Sequence, residues 1–245
     1  FESYDMDHMV YVVGNEQDYH FEVLFGILEL LRPELTDRLY HLSYGMVLLP
    51  EGKMKSREGT VVDADDLMDE MLDLAESAVR ERYDALDEDE IARRSEAIGM
   101  GALKYFIMDF NPRSTVNFDP EQSIAFQGRT GPYCMYSYAR IQSIARKLSG
   151  WPELDGDERS DALGSLGTDL EMAVVRELEA WPEVCARAAN ELDPGKVTEH
   201  LFKLCKSFST MYNDDDHRMI DLEDETRRRG LILLSKAVAD TLHTV

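Results

Sequence analysis

Three cations stand close together in "PEGKMKSREGT", residues 50–60: Lys53, Lys55 and Arg57, between Gly52 and Gly59. Phosphate chemistry is what such a group could serve, because cationic side chains stabilise charge that develops on a departing phosphate. The flanking glycines would let the segment open and close. A solvated hairpin tip has the same composition, and no GxxxxGK[ST] phosphate cradle occurs in the chain. A second set of residues is built on helical spacing. Tyr133, Tyr136, Arg140, Ser143 and Lys147 follow one another at intervals of 3, 4, 3 and 4 and so share one helix face. Aromatic rings beside cations suit unstacked bases and their phosphates. Half-buried packing tyrosines with exposed hydroxyls would give the same pattern. Cys134, Tyr138, Ile141, Ala145 and Leu148 fall on a different, mostly apolar face, expected to pack inward.

These residues need elements to carry them. "MVYVVG", residues 9–14, is a short apolar run ending in glycine and reads as a buried strand. "QDYHFEVLFGILELL" follows with Phe21, Leu24, Phe25, Leu28 and Leu31 at helical spacing, and Pro33 limits that helix. Strand, glycine, helix is the end of an α/β unit, with parallel neighbours expected on both sides. The only other strand candidate is "GMVLLP", too little for a parallel sheet, so further strands are expected upstream of residue 1. From residue 63 the pattern turns helical. "DADDLMDEMLDLAESAVRERY" has a capping aspartate and apolar Leu67, Met71, Leu74 and Val79. "DEDEIARRSEAIGMGALKYFIMDF" starts acidic, as the helix dipole favours. "NPRSTVNFDPEQ" reads as loop or extended chain, and "SGWPELDGDERS" as a polar surface connection. Further helices are expected at roughly 131–149, 168–190, 196–212 and 217–243.

Composition narrows the classes. There is no apolar run long enough to cross a membrane and no secretory leader pattern. Three cysteines without CxxC spacing and six scattered histidines argue against a disulfide framework and a structural metal, and for a reducing cytoplasm. Forty-nine acids against twenty-six bases give a formal charge of −23, which fits a salty cytoplasm or an ordinary acidic protein equally. Any nucleic-acid binding must then gather the few cations on one face.

"KMKSR" resembles the KMSKS signature of class I aminoacyl-tRNA synthetases, set between "HLSYGMVLLPEG" and "EGTVVDADDL". "YVVGNEQDYHFEVLFGIL" is similar to the last sheet strand and following helix of an arginyl-tRNA synthetase catalytic domain. "FQGRTGPYCMYSYARIQSIARK" resembles the entry helix of that family's anticodon-binding domain. The resemblance implies a mostly α chain: the C-terminal edge of a Rossmann-type α/β catalytic domain, residues 1–62, connecting stem-contact-like helices, 63–120, and an all-α helical-bundle anticodon-binding domain, 121–245.

By that resemblance the chain is part of an arginine–tRNA ligase using arginine, ATP with Mg²⁺ and tRNA-Arg, cytoplasmic and monomeric. Lys53, Lys55, Ser56 and Arg57 would form the catalytic loop. Lys53 aligns with the signature's first lysine, but Ser56 stands where the second would be, leaving Lys55, Arg57 or an upstream residue to supply that charge. Gln17 matches a position whose amide contacts the bound arginine, and a carbonyl accepting from a guanidinium makes chemical sense. Gly14 would allow close backbone approach, His20 lies near the ATP site or packs, and Met46 presents backbone to adenine or packs. The family places anticodon-loop contacts at Tyr133 and Tyr136, with Arg140 and Lys147 on the same face. Tyr212 and His217 offer a second stacking surface, and Arg227, Arg228 and Arg229 either touch phosphate or, the preferred reading, balance nearby acids. The family's other signature, HIGH, is absent from these residues, and both ends read as truncated. The chain alone is therefore expected to bind tRNA without charging it. Two alternatives are a non-catalytic synthetase-derived RNA-binding module and an acidic helical interaction domain.

Overall fold

A computed structural model of the chain describes residues 5–49, 63–148 and 150–245. It divides into two compact units, residues 1–62 with 110–119, and residues 63–109 with 120–245.

In the first unit, strand β1 (Met9–Gly14) leads through a 3-10 turn (Asn15–Gln17) into helix α1 (Asp18–Leu31). A second 3-10 turn, Pro33–Arg38, returns the chain to strand β2 (Leu39–Tyr44), which pairs parallel to β1 with Met9 opposite Leu39 and Gly14 opposite Tyr44. The partner of β1 is thus "LYHLSY", not "GMVLLP". Its alternating polar and apolar residues disguise it, because a buried parallel strand is expected to be apolar throughout. From "GMVLLP", Val47–Leu48 (β3) pairs parallel with Val116–Asn117 (β4) in a separate two-stranded ladder. Gly45 permits that approach: a Cβ there would sit 2.1 Å from the Ser114 carbonyl oxygen, well inside contact distance. Tyr11, Phe21 and Phe25 form an aromatic cluster between sheet and helix, with ring centroids 5.1 Å apart for Tyr11–Phe21 and 5.7 Å for Phe21–Phe25. Val12 of β1 is 62% exposed and Leu30 of α1 84%.

The second unit is helical. Helix α2 (Ala64–Arg82) buries Leu67, Met71, Ala75 and Val79, so Ala75 rather than the anticipated Leu74 completes the buried stripe. Helix α3 (Glu88–Met108) is capped by Asp87, whose carboxylate accepts from the Glu90 N–H at 2.8 Å. A short helical turn, α4 (Pro120–Ser123), precedes α5 (Gly131–Lys147). Helix α6 (Gly156–Gly164) begins within the segment expected to be a polar connection and runs past its end. Its capping box, Asp155 with Glu158, is a local start signal that the lack of an apolar stripe obscures.

Helices α7 (Asp169–Glu191) and α8 (Gly195–Tyr212) match their expected spans closely. Helix α9 (Glu225–His243) starts later than residue 217, because Asp215–His217 is a separate 3-10 turn and Asp224 is the cap, accepting from the Arg227 N–H at 3.0 Å. The core joins Ile141 of α5, Val174 of α7, Leu204, Phe208 and Met211 of α8, and Leu231 and Val238 of α9, with Met219 inserted from the segment between α8 and α9. Each such side chain stabilises the fold by roughly 1.5–3 kcal/mol. At Gly230, where α9 crosses α6, a Cβ would come 2.3 Å from the Ala162 carbonyl oxygen, so only glycine admits the contact. Among the described residues no helix is long and apolar enough to cross a membrane.

Candidate nucleic-acid interface

The helix face read from spacing exists, but tertiary packing divides its residues among different surroundings. Thr130 caps α5, its hydroxyl accepting from the Tyr133 N–H at 3.3 Å, and Pro132 in the first turn needs no intrahelical donor. Cys134, Ile141 and Ala145 are buried and Tyr138 and Leu148 partly so, which leaves Tyr136, 48% exposed, and Arg140 and Lys147 turned outward. Tyr133 is half-buried: its ring lies 5.7 Å from that of Phe202, and burial pushes its hydroxyl above the ordinary phenol range. Both a packing and a contact role are therefore open to Tyr133, while Tyr136 presents a free ring edge.

Arg140 crosses to α8. Its guanidinium lies 4.4 Å from the centroid of the Tyr212 ring, and its Nη2 donates to Asn213 Oδ1 at 2.9 Å. Tyr212 also neighbours Phe208, with centroids 6.0 Å apart and planes 22° from parallel. Arg140, Tyr212 and Asn213, with Arg218, Met219, Ile220 and Asp221, line a cleft of about 220 Å³. A ring, a flat cation on its face and an amide at the rim offer one stacking surface and directional hydrogen bonds. Lys147 is exposed in the last turn of α5 and lines neither this cleft nor the groove beside it.

That groove, of about 1320 Å³, runs among α2, α3, α5 and α9. Tyr133 and Tyr136 line it with Arg82, Arg93, Arg94, Lys104 and Arg146, and among the described residues no aspartate or glutamate lines it, although the chain has forty-nine acids. Arg82 lies 4.4 Å over the Phe126 ring and Arg94 5.0 Å over the Tyr83 ring, so two guanidinium planes are fixed by aromatic faces. Arg93 and Arg94 also pair with Glu90, each at 2.8 Å; their hydrogen bonds hold that carboxyl well below its usual range, at about 2. The helix-face spacing could not reveal this groove, because its cations come from three helices.

His217 is not a stacking surface. It is 3% exposed, its Nδ1 is 2.7 Å from Asp214 Oδ1, and its Nε2 is 3.0 Å from Thr168 Oγ1. Burial is the reason: η-turn residues 215–217 fold the imidazole under the chain rather than out of it. Arg227, Arg228 and Arg229 do balance acids: Arg227 reaches Glu171 at 2.7 Å, Arg229 reaches Glu225 at 3.0 Å and Glu158 at 3.3 Å, and Arg228 also pairs with Glu225.

In the first unit, Gly14 ends β1 with a φ of −59°, and a methyl there would make ordinary contact with the Tyr44 ring at 3.6 Å. Gln17 closes the 3-10 turn at the carboxyl end of that strand and is exposed. His20 is exposed in the first turn of α1, edge-on to Phe21 at 5.7 Å, so it is not a buried packing residue. Met46 is 49% exposed rather than core, and its carbonyl accepts from the Val116 N–H at 2.9 Å.

His41 is a positioning residue that sequence reasoning missed. It stacks on Phe21 at 4.2 Å, with Nε2 3.0 Å from the Val13 carbonyl and Nδ1 3.4 Å from Asp18, and so joins β2 to both ends of the Gln17 turn. Lys53, Lys55, Ser56 and Arg57 lie outside the described residues. Among the described residues no three acids, histidines or cysteines gather to hold a metal ion.

Residues 1–119 match the family described as tRNA synthetases class I (R), catalytic domain, and residues 134–245 match the DALR anticodon binding domain. The arginine–tRNA ligase of Flavobacterium psychrophilum is 43% identical over 98% of this chain and 39% of its own length. That of Porphyromonas gingivalis is 42% identical over 99% of this chain and 40% of its own. The chain thus spans about two fifths of the length of these curated relatives. Among solved structures, the Thermus thermophilus arginyl-tRNA synthetase superposes with a TM-score of 0.82 at 25% identity, over 97% of this chain and 39% of that one. The Plasmodium falciparum enzyme gives 0.74 at 23% identity, over 96% and 40%, a likeness of fold.

Proposed function

This chain belongs to the class I arginyl-tRNA synthetase family, and we propose that it supplies the KMSKS-like half of the activation site and the anticodon-binding domain of an arginine–tRNA ligase. The reaction has two balanced steps. The arginine carboxylate attacks the α-phosphate of ATP, giving arginyl-adenylate and pyrophosphate; a terminal ribose hydroxyl of tRNA-Arg then attacks the activated carbonyl, releasing AMP and forming the ester.

In the first step Lys53, Lys55 and Arg57 meet charge that grows on the departing phosphates, so their attraction is strongest at the transition state. Ser56 takes the place of the signature's second lysine. Gln17, at the carboxyl end of β1 where α/β folds bind ligands, accepts from the substrate guanidinium. Gly14, His20 and the Met46 backbone border ATP. Magnesium arrives with the ATP phosphates, which suits an ion that keeps several waters and few protein ligands. The exposed apolar residues Val12 of β1 and Leu30 of α1 would pack against further elements of a larger α/β domain, helices being what covers the faces of a parallel sheet.

In the second unit, Tyr133, Tyr136, Arg140 and Tyr212 contact the anticodon loop, and Lys147 faces the phosphates. The connecting helices α2 and α3 bring Arg82, Arg93, Arg94 and Lys104 to the RNA backbone. The observation that carries this reading is the Arg140 guanidinium held over the Tyr212 ring, beside a groove without acids in a chain of charge −23. We place the protein in the cytoplasm, as a monomer.

Incubating the 245-residue chain with an arginine-tRNA transcript, arginine and ATP tests the reading. The chain should retain the tRNA and form no arginyl-tRNA, because no HIGH signature lies within it. Failure to bind tRNA would contradict the anticodon-domain assignment, and arginine-dependent charging would contradict the division of the active site.

A further inference from the structure

One wall of the Arg140–Tyr212 cleft is the segment 213–221, which has no regular structure beyond a single 3-10 turn. Such a segment needs anchors if it is to hold a cleft open. Met219 supplies an apolar one, fully buried, with its sulfur 3.4 Å from the Ser235 hydroxyl. The other anchor is ionic and equally buried. Glu171 is 0% exposed, its Oε2 accepting from the Gly167 and Thr168 N–H groups at 2.7 and 2.8 Å. Its Oε1 accepts from Arg227 Nη2 at 2.7 Å and lies 3.3 Å from His217 Nε2. On its other side His217 meets Asp214. The knot therefore ties the start of α7 and the first turn of α9 to the segment that forms the cleft wall.

Apolar packing would stabilise such a junction at least as well, since a buried ion pair is weak evidence for stability. What directional bonds add is a fixed position. Asn213, one residue before Asp214, is the group that holds the Arg140 guanidinium.

We infer that Glu171, His217 and Arg227 are positioning residues for RNA binding, setting through the 213–221 segment where Asn213 holds Arg140 over the Tyr212 ring. This rests on the reading that the cleft takes RNA.

A double-mutant cycle with the 245-residue chain and an anticodon stem-loop transcript of an arginine tRNA separates the two claims. His217→Ala should lower affinity about tenfold in the wild-type background and less than about twofold once Arg140 is alanine, as expected for residues acting through one network. His217→Asn, which keeps a donor toward Asp214, should restore most of the loss. If His217→Ala does not fold, Asp214→Asn takes its place and should show a smaller loss with the same dependence on Arg140. Equal losses in both backgrounds, or no loss where Arg140→Ala costs affinity, would overturn the positioning role. No loss from Arg140→Ala itself would overturn the RNA reading of the cleft.

Discussion

Alanine at Tyr212 should weaken tRNA binding by about 1–3 kcal/mol, the range for one stacked base, which is roughly 5- to 150-fold in Kd. Arg140→Ala should cost a comparable amount, and the two losses should be less than additive, because each group holds the other in place at 4.4 Å. Tyr212→Phe separates stacking from hydrogen bonding: it keeps the ring against Phe208 and should retain most of the affinity. Titration of a labelled anticodon stem-loop, with the thermal midpoint of each variant recorded, gives the answer. Unchanged affinity for Tyr212→Ala in a folded protein would mean that the ring is packing alone.

The second large effect is on stability. Glu171→Ala removes a fully buried carboxylate, leaves the Gly167 and Thr168 N–H groups without their acceptor, and takes away the ion pair with Arg227 and the contact with His217. Breaking a buried pair from one side costs about 3–5 kcal/mol, enough to threaten a domain of ordinary stability. Burial alone would raise the Glu171 carboxyl, but the backbone N–H groups of Thr168 and Gly167 and the Arg227 charge outweigh it and hold the group below its usual range. A carboxyl lowered in the folded state binds its proton more readily when unfolded. Its contribution is therefore complete above the ordinary carboxylate range near 4.5 and is lost as the pH falls through the lower folded value. Urea unfolding followed from neutral to acid pH should show this loss in the wild type and a flatter acid limb in Glu171→Gln. The same slope in both proteins would remove Glu171 as its source.

Much of the helical unit was legible because its signals are local. Apolar residues three and four apart marked α2, α5, α7 and α8, and the arrangement of Tyr136 and Arg140 on one face followed from the same period. Even the Glu171 site had a local trace, since "TDLE" at Thr168–Glu171 is a capping box. The spacing gave no hint that the carboxylate would also be buried against Arg227, fifty-six positions away.

Long-range pairings were the ones that escaped. Arg140 meets Asn213 across seventy-three positions, and His217 turned inward rather than out because Thr168 and Glu171 come to it from another helix. Strand β2 escaped for a different reason: His41 and Ser43 are polar, yet Ser43 is buried and the His41 ring nearly so, held by the Val13 carbonyl and Asp18. Polar residues buried in this way break the apolar run by which a parallel strand is usually recognised.

If a strongly acidic chain gathers its positive charge where RNA lies, the salt dependence of tRNA affinity will reveal it in the wild type beside Lys104→Ala and Arg146→Ala, both groove-lining cations. The logarithm of the binding constant should fall linearly with the logarithm of salt concentration, and the slope should shrink by about one for each variant that loses a phosphate contact. An affinity indifferent to salt, or a slope that neither substitution changes, would contradict it.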